Sequence, residues 1–252
     1  MLSKFKKQMY FKGWYEFPKF IGRNLVKLLL DDLEKAYVEC RKIQLENGVE
    51  NSEGTCHHLI GQGDSFMTCL SAYQVINAEL ESYFQGKYIL NSFGGNILKK
   101  GMSYANGIHR DIRTFSGNIP LMLNTLIMLD DFTPENGATW LMHRGHDWPH
   151  KPTDEEFDDY KFQIIGKAGT MFVWNSNLWH RAGENKTDKP RRSVTPEFSK
   201  PFMKQGFDYP KVLPVPKSAY LRQVLGFNAL VPASLNDWYQ PRESRLYKDD
   251  QE

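Results

Sequence analysis

Residues 18–48, PKFIGRNLVKLLLDDLEKAYVECRKIQLENG, carry Leu25, Leu28, Leu29, Leu33, Tyr37 and Ile43 at helical spacing, and Asn47-Gly48 supplies a C-terminal stop. A second helix is expected from Ser65 to Phe84. Asp64 or Ser65 can cap it, and Phe66, Leu70, Tyr73, Ile76, Leu80 and Tyr83 form one face. Beyond Gly86 the apolar runs become short and are bounded by Gly, Pro, Asn and Asp: KYILNSF, IPLMLNTLIML, ATWLM, FQIIG, GTMFVW, NLWHRAG and RRSVTPEF. Short strands with turn signals between them predict a sandwich or barrel. DDFTPENGATW reads as a turn, with Pro134 fixing φ and Gly137 supplying freedom before the next strand. KSAYLRQVLGF and SLNDWY read as partly helical, and the tail PRESRLYKDDQE as frayed. The pattern therefore predicts one mainly β domain with flanking helices over residues 1–252. It has a helical part at about 18–85, a β-sandwich core at about 86–200 and a helical C-terminal extension at about 201–245.

Composition narrows this reading. A chain of 252 residues, 40% hydrophobic and 25% charged, is that of a folded globular protein. Lys and Arg number 32 against 30 Asp and Glu, a net charge of +2, too balanced to favour a nucleic-acid or membrane partner. Cys40, Cys56 and Cys69 are odd in number and lack a C-x-x-C, which fits reduced thiols in a cytoplasmic protein. The start MLSKFKKQMYFKGW has no apolar segment followed by a cleavage site, so a signal peptide is not expected. No apolar stretch approaches the roughly 18 residues needed to span a bilayer. The partner expected is a small-molecule substrate, with the chain a monomer or homodimer.

The chemistry starts at GIHRDIRTF, residues 107–115. In an extended segment His109 and Asp111 point to one face, because side chains alternate with a period of two. An imidazole and a carboxylate on one face can bind one ion, and His180, after the apolar strand Met171–Trp174, can supply a third ligand. Two histidines and a carboxylate form the facial triad of non-haem Fe(II) oxygenases, whose opposite face stays open for co-substrate and dioxygen. Arg191 and Arg192 follow eleven residues later. Neighbouring strand residues face opposite ways, so at most one of them enters the same cavity, where a guanidinium fork suits a distal carboxylate. A triad and an arginine one strand away point to a 2-oxo acid co-substrate.

HRD at 109–111, DDFTPENGATWLMHRGH at 130–146 and LWHRAGENKTDKPRRS at 178–193 resemble the phytanoyl-CoA dioxygenase family of Fe(II)/2-oxoglutarate oxygenases. The start FKGWYEFPKFI and the end LRQVLGF…SLNDWY are similar to family members too, so the resemblance covers most of the chain in order. It implies a double-stranded β-helix, or jelly-roll, fold. His109, Asp111 and His180 become iron ligands and Arg191 becomes the clamp for the 2-oxoglutarate carboxylate. The activity implied is hydroxylation of a small molecule with release of succinate and CO2, using Fe(II), 2-oxoglutarate and O2. Desaturation, epimerisation or ring formation on the same iron is the alternative outcome, and a non-catalytic jelly-roll that binds a ligand is the alternative of another class. Asp111 also matters within the wider group, because halogenating relatives carry Gly or Ala there. Two departures stand out. His143-Arg144-Gly145-His146 replaces the family's P-G-S-H, and Ala182 replaces a small hydroxyl residue that helps hold the co-substrate. The second contact to 2-oxoglutarate must then come from elsewhere, with Thr125 and Asn91 on preceding strands as candidates.

Remaining clusters read more plainly. CHH at 56–58 makes a poor chelate because adjacent side chains diverge, so Cys56 is read as structural and His57 or His58 as a cavity residue. His143, His146 and His150 beside Trp148 are read as loop residues near the active-site mouth. Gly61-Gln62-Gly63 lacks the third glycine of a phosphate-binding loop. Trp140, Phe172 and Trp174 are read as core. Arg110 and Arg113 point away from the metal face and form salt bridges by default, with Arg192 a solvated strand residue. The candidate substrate contacts are His58, Arg113, His146 and Trp174, and the arginines near the site point to an acidic substrate. Specificity is expected to lie in the loops at roughly 50–65, 86–105 and 143–160.

Overall fold

The computed structural model of the protein describes residues 3–102 and 107–251. Among the described residues, nine strands form two antiparallel sheets. They are β1 (Trp14–Phe17), β2 (Thr55–Cys56), β3 (Ile89–Leu98), β4 (Met122–Met128), β5 (Trp140–Met142), β6 (Lys161–Gln163), β7 (Met171–Asn175), β8 (His180–Arg181) and β9 (Arg191–Ser199). The larger sheet has the order β1-β7-β4-β9-β3-β2 and the smaller one β6-β5-β8. Two antiparallel sheets facing each other, with every pairing non-sequential or long-range, give the jelly-roll that the short alternating runs predict.

The alternation on the large sheet separates two apolar cores. Leu123 and Ile127 of β4, Met171 and Val173 of β7, and Val194 and Phe198 of β9 pack outward against helices. Leu126 and Met128 of β4, with Phe172 and Trp174 of β7, pack inward against Leu141 and Ile164. Covering on both faces explains why every residue of β4 is buried.

The outer layer is built by α1 (Lys4–Lys12), α2 (Arg23–Glu46), α3 (Asp64–Ala72) and α4 (Asn77–Phe84). Leu29 and Leu33 of α2 are fully buried on the sheet. Gly95 makes the approach possible, since a Cβ there would lie 2.6 Å from Leu33 Cδ1. The single helix expected over 65–84 is interrupted by a 3-10 turn at Tyr73–Ile76. Tyr73 sits at the break, its ring against Phe20 and Phe198. Neither Asp64 nor Ser65 caps α3 from within; Asp32 of α2 accepts hydrogen bonds from Ser65 N (3.2 Å) and Ser65 Oγ (2.7 Å) instead. The helix α1 was not expected from the pattern.

After α5 (Asp154–Tyr160) and β9, the chain forms the short helices α6 (Tyr209–Val212), α7 (Ala219–Val224) and α8 (Leu235–Trp238). The tail is not frayed as the polar sequence predicts. Tyr247 bridges Ala229, Lys248 N donates to Asn228 O at 2.9 Å, and Gln251 is fully buried. Backbone pairing, which a polar composition does not reveal, holds it down. Among the described residues no helix is long and apolar enough to cross a membrane, and the three cysteines are free.

Candidate metal centre

His180 opens β8 and pairs with His109 in an isolated antiparallel bridge. His109 N donates to His180 O at 3.0 Å, and His180 N donates to His109 O at 2.9 Å. The segment at 107–115 is therefore a single bridge followed by bends, not the strand that alternation predicts. The bridge sets the two imidazoles 4.3 Å apart, centroid to centroid. Asp111 reaches the same point: its oxygens lie 3.8 Å from His109 Nε2 and 3.4 Å from His180 Nε2. One donor atom from each of the three lies within 4.8 Å of the others, and this is the one such group of three among the described residues.

Neighbouring groups aim these donors. His109 Nδ1 lies 2.8 Å from Gly107 O and His180 Nδ1 lies 3.0 Å from Leu178 O. A carbonyl oxygen only accepts, so each Nδ1 carries the proton and each Nε2 turns a lone pair toward Asp111. Burial pushes the His180 imidazole below its ordinary pKa, and the neighbouring His109 adds to this while Asp111 opposes it. The neutral, metal-binding form is thereby favoured. Asp111 accepts a short hydrogen bond from Asn124 Nδ2, and Asn124 Oδ1 accepts one from Ser176 Oγ.

A cavity of about 150 Å³ opens onto this centre. Arg191, Ser193, Thr195 and Glu197, alternate residues of β9, all line it. Arg191 is only 4% exposed and makes no hydrogen bond or ion pair with a described residue. Its guanidinium lies 4.5 Å from the Phe132 ring, and burial pulls its pKa down to about 10 against the opposing pull of Asp130. A buried guanidinium with unmet donors calls for an anion. Ser193 Oγ, on the same face, is also buried without a partner among the described residues. Arg192 turns the other way and corrects its reading as a solvated residue. It donates to Asp130 through Nε and Nη2 (2.9 and 2.8 Å) and to Glu34 of α2 (3.0 Å).

Several sequence-based placements are corrected by the geometry. Thr125 borders the cavity, but its side chain faces the helices. It donates to Pro196 O (2.7 Å) and so accepts from Tyr73 OH at 2.6 Å. It is one residue out of phase, and Asn124 faces the centre. Asn91 lies in a β-bulge of β3 and bonds Lys204 O at 3.2 Å, away from the cavity. His58 stacks on Phe207, centroids 4.6 Å apart, while its neighbour His57 lines the cavity. Arg113 is exposed and does not line it. His146 is buried against Gly13 with Nε2 3.3 Å from Tyr10 O, on a second cavity beside α1. Neither His143, stacked on Phe162, nor exposed His150 stands at the mouth. Arg110 makes no salt bridge with a described residue; it lies over Trp179 at 4.9 Å and donates to Pro149 O. Trp174 does line the cavity, its ring 5.4 Å from that of His180 and its Nε1 without a partner among the described residues. Ala182 borders it as well. Of the loops expected to set specificity, residues 103–105 lie outside the described residues.

Sequence reasoning missed Asn124, Ser193 and Glu197. The alternation of β9 from Arg191 would have found the last two. Glu197 lines the cavity without a hydrogen bond or ion pair to a described residue. Burial first, and then the charge of Asp111, push its carboxyl up to about 8.

A jelly-roll whose sheets converge two histidines and a carboxylate beside a buried arginine defines the non-haem iron, 2-oxo acid-dependent class of fold and site. The family model described as phytanoyl-CoA dioxygenase (PhyH) matches residues 41–193, and the chain belongs to that family of Fe(II)/2-oxoglutarate-dependent oxygenases. Uncharacterized protein Rv1501 of Mycobacterium tuberculosis is 33% identical over 153 residues, which are 59% of this chain and 56% of that protein. The match thus spans little more than half of the relative's length. Among solved structures, the epimerase SnoN in complex with Fe3+, alpha-ketoglutarate and nogalamycin RO aligns with a TM-score of 0.59 at 17% identity, covering 88% of this chain and 93% of that one. The non-haem alpha-ketoglutarate-dependent carbocyclase SnoK aligns with a TM-score of 0.58 at 15% identity, covering 79% and 84%. These two likenesses concern the fold.

Proposed function

We propose that the protein is an Fe(II)- and 2-oxoglutarate-dependent dioxygenase that hydroxylates a small molecule. The observation that carries this reading is the pairing of the His109–Asp111–His180 cluster with a buried, unpartnered Arg191 in one cavity. His109 and His180 would hold the metal through Nε2 and Asp111 through a carboxylate oxygen. Bound iron with 2-oxoglutarate and dioxygen supplies the oxidising power for attack on a substrate C–H bond, with succinate and CO2 released.

The chain's own residues do the rest. Gly107 O and Leu178 O fix the imidazole tautomers, and Asn124 orients Asp111. Arg191 receives the distal carboxylate of the co-substrate. Ser193 Oγ, two residues on and buried without a partner, supplies the hydroxyl contact that Ala182 cannot. Trp174 and Leu126 wall the centre with apolar surface and exclude water.

Substrate-dependent succinate release, screened across candidate metabolites, tests the reading. Asp111→Ala and His180→Ala should abolish it, and unchanged turnover would refute the assignment. SnoN and SnoK, epimerase and carbocyclase on a similar fold, make a different outcome at the same centre the second reading. Product mass separates them: hydroxylation adds one oxygen, desaturation or ring closure removes two hydrogens, and epimerisation leaves the mass unchanged. A non-catalytic jelly-roll would bind its ligand without metal.

A further inference from the structure

The cavity has two polar ends. Arg191 and Glu197 lie six residue steps apart on one face of β9, about 20 Å of extended chain. Glu197 stands beside Asn124 of β4, which holds Asp111, and across from Ser92 of β3. It is therefore close to the metal centre but remote from the arginine.

The ionisable groups bordering the cavity are Glu53, Cys56 and His57 from the 50–58 segment, His109 and Asp111 from the bridge segment, His180 from β8, and Arg191 and Glu197 from β9. The buried phenol Tyr209 lies within electrostatic reach of Glu197. The metal and 2-oxoglutarate account for His109, Asp111, His180 and Arg191. Glu53, Cys56, His57 and Glu197 are left over, and of these Glu197 is the one that stands beside Asn124 at the metal cluster. It has no donor from any described residue, while Ser92, Asn124 and Thr195 surround it with polar groups. A carboxyl group held in a cavity without a donor is costly unless something bound there supplies one.

Resting on the proposed function, we infer that Glu197 is a specificity residue. It receives a hydrogen-bond donor of the substrate, a hydroxyl or a protonated amino group, at the end of the cavity remote from Arg191. This reverses the acidic substrate expected from the arginines. Arg192 is neutralised by Asp130 and Glu34, Arg110 is stacked on Trp179, Arg113 does not line the cavity, and Arg191 is taken by the co-substrate. Asp111 already opposes a negative charge at Glu197, and a substrate carboxylate placed there would meet the same repulsion, whereas a protonated amine would favour the ionised form of Glu197 and pair with it.

The test uses the full chain loaded with Mn(II), which is paramagnetic and redox-inert here, and with 2-oxoglutarate. Cyclohexylamine, cyclohexanol and cyclohexanecarboxylate, matched in shape, are titrated in, and relaxation of their protons by the metal reports binding in the cavity. The amine, the alcohol or both should bind roughly tenfold more tightly than the carboxylate, the size expected of one good hydrogen bond. A gain for the amine alone assigns an amino substrate, and a gain for the alcohol a hydroxylated one. Glu197→Ala should remove the preference, whereas Glu197→Gln, which keeps the shape, should remove it for the amine more than for the alcohol. Tightest binding of the carboxylate, no relaxation of any probe, or a preference unchanged in Glu197→Ala would overturn the inference. A solvent-water relaxation no different from that of free Mn(II) with 2-oxoglutarate when the wild-type protein is added, before any probe, would instead remove the metal reading on which it rests.

Discussion

Asn124 carries Asp111 on one side and takes Ser176 on the other, so the carboxylate in the metal cluster is positioned by a chain of buried polar groups. Loss of such an outer partner typically weakens metal binding by about 10- to 100-fold. Asn124→Ala should lower Mn(II) affinity within that range while leaving the far-ultraviolet circular dichroism unchanged. Thr125→Val, one residue on, should leave the affinity near wild type, since its hydroxyl faces Tyr73. Arg191 gives a second prediction at this scale. Replacing it by Met removes a charge-assisted contact, and the KM for 2-oxoglutarate should rise by about 10- to 150-fold, the equivalent of about 1.5–3 kcal/mol. A KM within twofold of wild type would move the co-substrate's carboxylate elsewhere.

Among the elements, α3 depends on a cap from another helix. Asp32→Ala removes an acceptor shared by Ser65 N and Ser65 Oγ and should cost about 1–2 kcal/mol in urea unfolding. The turn before β5 is equally specific. Gly137 has φ +81°, and a Cβ there would lie 2.7 Å from Gly183 O. Gly137→Ala should destabilise the protein by about 1–3 kcal/mol or more, read by the same unfolding curve. Elements of this kind were largely legible in the sequence. The strand runs beyond Gly86 each became a strand, and the two helical patterns became α2 and the α3–α4 pair. The break at Tyr73–Ile76 was not, because the apolar period continues through it without Gly or Pro. The ordered triad was legible because a bridge, like a strand, puts His109 and Asp111 on one side. Thr125 and Asn91 were misplaced for opposite reasons. Thr125 needed the phase of a strand buried on both faces, and Asn91 sits in a bulge that resets the phase.

For the whole molecule, the jelly-roll acts as a clamp whose two sheets hold different parts of one centre. His180 comes from the small sheet, while Arg191, Ser193 and Glu197 come from the large one. Ligands that bind only this folded arrangement stabilise it by mass action. Mn(II) and 2-oxoglutarate at about a hundred times their dissociation constants should add about 2.7 kcal/mol each, which together for a chain of this size raise Tm by roughly 10–20 °C. The most direct measurement of the central claim is the visible spectrum of the protein mixed anaerobically with Fe(II) and 2-oxoglutarate. A weak charge-transfer band should appear in the wild type, be absent in Asp111→Ala and His180→Ala, and require more 2-oxoglutarate in Arg191→Met. No band in the wild type, with no iron retained by the protein, would contradict the account.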